Sequence, residues 1–110
     1  MHIEINHDNH VRIDSDFMQR LSGAIEGTLL KHTDRVTRVE VHLGDTNGGK
    51  GGAADKRCMI EVKLAGVPPL AVTHVADSLQ LAIDGATEKL EHAVGHKLGK
   101  LHVMTPAPTL

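Results

Sequence analysis

Val36-Thr37-Arg38-Val39-Glu40-Val41-His42-Leu43 alternates apolar and polar side chains, and Arg57-Cys58-Met59-Ile60-Glu61-Val62-Lys63-Leu64 does so again. Period-two alternation sends successive side chains to opposite faces of a strand. Val39, Val41 and Leu43 therefore share one face, with Arg38, Glu40 and His42 on the other. In the second stretch Cys58, Ile60, Val62 and Leu64 face inward, and Arg57, Met59, Glu61 and Lys63 outward. Strands with a single apolar face predict a sheet covered on one side and open on the other. That pair decides the fold.

Residues 44–55, between the two strands, are rich in glycine and small polar residues and predict a flexible loop. Gly66-Val67-Pro68-Pro69 predicts a turn, because consecutive prolines cannot serve a sheet ladder. A short strand follows at residues 70–74, and a long helix from about residue 77 to about residue 98. Upstream, His2-Ile3-Glu4-Ile5-Asn6 alternates as a first strand, and His7-Asp8-Asn9-His10 is turn-like. Asp14 or Ser15 can cap a helix by accepting from its free amides. Phe17, Met18, Leu21, Ala24, Ile25, Thr28 and Leu29 then recur at spacings of 3 and 4, one apolar stripe. Gly23 and Gly27 lower the helix propensity of this segment, and Arg20 and Lys31 lie on the same flank of its stripe.

The order is β-α-β-β-β-α. The last three strands predict an antiparallel meander, and the first, reached through a crossover helix, should run parallel to the second. The expected architecture is an α+β two-layer sandwich, a four-stranded sheet with two helices on one face. Residues 1–102 read as one domain and residues 103–110, ending Thr105-Pro106-Ala107-Pro108-Thr109-Leu110, as a disordered tail.

A chain of 110 residues suits a single core. Its 12 basic against 14 acidic residues give a net charge of -2, which excludes a polycationic coat but not a local basic patch. The lone cysteine, Cys58, excludes an internal disulfide and suits a reducing compartment. No stretch approaches the roughly 20 apolar residues of a membrane span, and Met1-His2-Ile3-Glu4 lacks the features of a signal peptide. A soluble, cytoplasmic domain with no membrane partner is expected. Phe17 is the only aromatic residue, which argues against a base-stacking surface, whereas histidines number nine.

Tempting motifs fail on chemistry. Gly44-Asp45-Thr46-Asn47-Gly48-Gly49-Lys50-Gly51 nearly spells a phosphate loop, but Gly51 replaces the magnesium-binding hydroxyl and a strand, not a helix, follows. As a calcium loop the same stretch puts Lys50 at the required glycine and Lys56 at the closing acid. His92 and His96 have metal-ligand spacing on a helix, with Glu88 off to the side and His7 and His10 a second loose pair. Nothing completes a shell, so solvated histidines are expected and no metal or cofactor. Cys58 sits at an inward position, where a thiol is inert packing, and no catalytic arrangement can be argued. The chain does not read as an enzyme.

The last helix carries the most information. Leu79, Ala82, Ile83, Ala86, Leu90, Ala93 and Val94 form its core stripe. Lys89, His92, His96 and Lys100 form a second stripe beside it, and Asp84, Glu88 and Glu91 occupy the far side. Segregated charge of this kind suits either a solvated face or a basic ridge against phosphates. Arg20, Lys31, Arg35, Lys56 and Lys97 could extend the ridge.

Ala82-Ile83-Asp84-Gly85-Ala86-Thr87-Glu88-Lys89-Leu90-Glu91-His92 resembles the A-I-D-x-x-x-[DE]-K-L-x-[RK] stretch of the ribosome hibernation-promoting and ribosome-associated inhibitor proteins, also called the sigma-54 modulation family. Ile3-Glu4-Ile5, Asp34-Arg35-Val36-Thr37-Arg38-Val39-Glu40-Val41 and the element order agree with it, across about residues 1 to 100. The resemblance implies a fold like double-stranded-RNA-binding domains with an added strand. It also implies binding to 16S rRNA of the small ribosomal subunit on the messenger and transfer RNA path, silencing translation under stress. The family's contacts are basic residues on both helices. Lys89 keeps its lysine, while His92 stands where the family has arginine, His96 at a lysine position and Gln80 for the tyrosine before A-I-D. A short form is expected, without the C-terminal domain by which long-form members pair ribosomes, and no DNA partner. Imidazole for guanidinium weakens constitutive charge and would make binding stronger on acidification toward about pH 6. The competing expectation is a divergent member acting as a metal-responsive or protein-interaction module through its histidines or its open sheet face, where Arg38, His42, Met59 and Lys63 are displayed.

Overall fold

The computed structural model describes residues 1–9, 11–45 and 55–104, with side chains described through residue 99. Six main elements follow in the expected order: β1 (His2–His7), α1 (Ser15–Thr28), β2 (Val36–Asp45), β3 (Lys56–Leu64), β4 (Leu70–Ala76) and α2 (Leu79–Met104). A 3-10 turn, Leu30–His32, links α1 to β2. The strands form one sheet in the order β1-β2-β3-β4. β1 runs parallel to β2, with Ile3 opposite Val39 and Ile5 opposite Val41. β2–β3 and β3–β4 are antiparallel, with Val41 opposite Ile60 and Ile60 opposite Val72. The register shifts once, between Val36 and Arg38, where the Thr37 hydroxyl donates to Lys63 O at 3.2 Å.

Alternation in the strands becomes burial in the sheet. Val39, Val41, Leu43, Cys58, Ile60, Val62 and Leu64 are all buried, and both helices cover this face. Leu21, Ile25 and Leu29 enter the core from the α1 side, and Ala82, Ile83, Ala86, Leu90 and Val94 from α2. The architecture is the expected α+β two-layer sandwich with an open outer sheet face. Asp14 caps α1, its carboxylate accepting from Phe17 N–H at 2.8 Å. Ser78 does the same for α2, its hydroxyl accepting from Leu81 N–H at 3.1 Å. The β3–β4 turn uses Gly66 at φ 79°, a left-handed conformation that a side chain would strain.

Boundaries depart from expectation at several places, and β1 takes in His7, expected in the turn that follows it. α2 continues to Met104 rather than stopping near residue 98. Leu98 and Leu101 carry the helical pattern past Gly99, and the backbone restriction before Pro106 falls only after Met104. The helix therefore takes in residues 103 and 104 of the expected tail, and residues 105–110 lie outside the described residues. β4 extends two residues beyond His74 because β3 offers pairing down to Lys56, opposite Ala76. Gly44 and Asp45 belong to β2 and Asp55 lies in no element, and residues 46–54 of the expected loop lie outside the described residues. His10, in the first turn, lies outside as well.

Candidate nucleic-acid interface

α2 divides its surface lengthwise. Its buried stripe faces the sheet, and one flank lies along β4, one of the two edge strands. Lys89 is exposed on that flank, its ammonium donating to the Thr73 carbonyl at 2.8 Å. A lysine ammonium has three donors, so this contact anchors Lys89 over the sheet edge while leaving donors for an anion. His92 and His96 are exposed at the next two helical positions of the same stripe, and Lys97 is half-buried. Lys100 continues the helix, though its side chain is not among those described.

The close fit between α2 and β4 comes from Gly85. His74, on the inward face of β4, lays its ring where a Cβ on Gly85 would stand. Nothing larger than glycine fits there without displacing the imidazole. The sequence places His74 at a strand end and Gly85 inside a long helix, beside its core stripe; a glycine in a helix interior is the available signal for a close approach.

The other expected contacts lie elsewhere. Arg20 lines a groove of about 420 Å³ between α1 and α2, opposite Asp84, Glu88 and Glu91. Its guanidinium pairs with Asp16 at 3.2 Å and sits 5.8 Å from the Phe17 ring centre. The acidic side of α2 thus faces α1, and it separates Arg20 from the Lys89 flank. Lys31 is exposed on the 3-10 turn. Arg35 is half-buried and donates to Ala65 O at 3.1 Å, tying the start of β2 to the β3–β4 turn. Lys56 is held between Asp45 at 3.2 Å and Asp55 at 3.1 Å, both carboxylates nearly enclosed. The hydrogen bonds it donates to Asp55 and then Asp45 raise its proton affinity. The structure thus gathers Lys89, His92 and His96 on one flank, with Lys97 and Lys100 on the turn beyond. Arg35 and Lys56 serve internal contacts.

The remaining chemistry is quiet. Cys58 is buried and desolvation pushes its thiol up to about 12, so it stays protonated and unreactive. Among the described residues no three histidine, cysteine or acidic side chains converge to hold a metal ion. On the outer sheet face Arg38 pairs with Glu4 and, at 3.5 Å, with Glu40, so the guanidinium expected to be displayed there is occupied. No described helix is long and apolar enough to cross a membrane.

Comparison with known proteins agrees with this architecture. Among curated proteins none matches the chain significantly. The crystal structure of the Thermus thermophilus Protein Y N-terminal domain superposes with a TM-score of 0.70 at 24% identity, covering 87% of this chain and 98% of that one. A ribosomal subunit interface protein from Coxiella burnetii superposes with a TM-score of 0.69 at 18% identity, covering 90% of this chain and 99% of that one. At these identities both likenesses concern the fold. The family model described as Sigma 54 modulation protein / S30EA ribosomal protein matches residues 2–102, from the first strand through nearly the whole of α2, and the chain belongs to that family.

Proposed function

We propose that this chain is a ribosome-associated translation silencer, a binding protein and not an enzyme, acting in the cytoplasm during stress or stationary phase. Its partner is the small ribosomal subunit, where it lies on 16S rRNA along the path of messenger and transfer RNA. The family match across residues 2–102 carries this reading. The name of the Coxiella burnetii relative, a ribosomal subunit interface protein, points the same way.

The geometry supports a particular mode of contact. Lys89, His92 and His96 form a line of exposed nitrogen donors along one helix flank, with Lys97 half-buried on the next turn. A helix flank of this kind meets the phosphates and 2′-hydroxyls of structured RNA rather than its base edges. The chain holds no tryptophan or tyrosine, and Phe17 lies in the groove between the helices, so stacking plays no part. Arg20 and Lys31 are peripheral in this reading.

Competition on purified small subunits tests it. Bound chain is expected to block initiator transfer RNA from subunits carrying messenger RNA, and excess transfer RNA to displace it. Simultaneous, independent occupancy would place the chain elsewhere on the ribosome or off it.

A further inference from the structure

The groove between α1 and α2 has a composition that the RNA-binding reading does not use. Its floor is apolar: Leu21 and Ile83 are buried and Phe17, the only aromatic residue of the chain, is half-exposed. One wall is acidic. Asp84, Glu88 and Glu91 follow one another at spacings of 4 and 3 along α2, about 10 Å of helix. Among the described residues neither Glu88 nor Glu91 has a cationic partner. Asp84 accepts from the Gln80 amide at 2.8 Å, and Arg20 across the groove is paired with Asp16 on its own helix. The wall is therefore a row of carboxylates without internal neutralisation, beside an apolar trough.

Charge decides which class of macromolecule can enter. Nucleic acid phosphates are repelled by such a wall, whereas a cationic peptide is attracted to it. The apolar floor adds a preference for aliphatic side chains, and an aromatic beside a hydrophobic pocket is typical of protein interfaces. We propose that the α1–α2 groove docks a basic, amphipathic segment of a partner protein, with its aliphatic side chains over Phe17 and Ile83 and its lysine or arginine side chains along Asp84, Glu88 and Glu91. About 420 Å³ accommodates a few such side chains. The site faces away from the Lys89 flank, so it stands independently of the RNA contact and leaves that flank accessible.

A short labelled peptide of lysine and leucine, a charge-matched peptide of lysine and glycine, and a short RNA serve as probes of the intact chain. Fluorescence anisotropy is expected to show saturable binding of the first peptide, with amide resonances of Phe17, Ile83 and Glu88 shifting. The leucine-free peptide should bind roughly tenfold more weakly, as should the first peptide to a Glu88→Lys, Glu91→Lys variant. Both glutamates are exposed, and an unchanged thermal midpoint would show that the variant folds. Equal binding of the two peptides, indifference to charge reversal, or RNA shifting these same resonances would overturn the proposal. So would self-association of the chain that the double variant abolishes, which would make a second copy the occupant.

Discussion

Lys56 and Cys58 sit two positions apart on β3 and both hold their protons more tightly than usual, for opposite reasons. Lys56 donates hydrogen bonds to Asp55 and Asp45; Cys58 loses the water that would solvate a thiolate. A proton affinity raised by folding contributes stability that is complete below the unfolded value and lost as pH climbs through the folded one. For Cys58 that window runs from 9.0 to about 12, and Lys56 acts in the same direction above 10.5. Thermal midpoints measured across pH should therefore stay flat through neutrality and fall steeply in the alkaline range. Cys58→Ala should make that fall shallower, and a fall of equal depth in the variant would show that the thiol takes no part. Lys56→Gln should lower the thermal midpoint at pH 7 while leaving small-subunit affinity within about twofold, because its charge is committed to two enclosed carboxylates. A large loss of affinity without loss of stability would return Lys56 to the RNA contact.

At the scale of the element, α2 is where packing meets the proposed contact. Gly85 to alanine would gain about 1 kcal/mol of helix propensity on an exposed helix, yet here the new methyl meets the His74 ring. Gly85→Ala is expected to destabilise the chain in chemical denaturation, and His74→Ala on that background to restore much of the loss. A stabilised single variant would mean that β4 and α2 are not held this closely. The strands and the apolar stripes of both helices were legible in the sequence because burial imposes a period of two or of 3.6. The His74–Gly85 contact was not, since it depends on which residue of β4 the register sets beneath which turn of α2. The segregation of charge on α2 was also legible, but not what each side faces. That α1 lies across from Asp84, Glu88 and Glu91, with Arg20 in the groove, follows only from the packing of the two helices. On the opposite flank, His92 and His96 are exposed beside Lys89. His92→Ala, His96→Ala should weaken small-subunit binding while leaving the thermal midpoint unchanged. Unchanged affinity in the double variant would exclude the imidazoles.

For the whole molecule, a net charge of -2 conceals three distinct surfaces. The outer sheet face carries Arg38 paired with Glu4 and Glu40, the groove between the helices carries uncompensated carboxylates, and the β4 flank of α2 carries Lys89, His92 and His96. A protein of this balance has no general attraction for RNA, so the RNA contact proposed for it requires one flank to be oriented toward the phosphates. Binding through a few phosphate contacts should weaken as salt rises, with the slope of log affinity against log salt reduced by about one when a single contact is lost. Co-sedimentation of the wild type and of Lys89→Glu with purified small ribosomal subunits, at low and at moderate salt, tests this most directly. Salt-sensitive binding by the wild type, with both affinity and salt slope reduced in Lys89→Glu, is the predicted result. Equal binding by the two proteins would contradict the assignment of the α2 flank, and absence of binding by either at both salts would contradict the small subunit as partner.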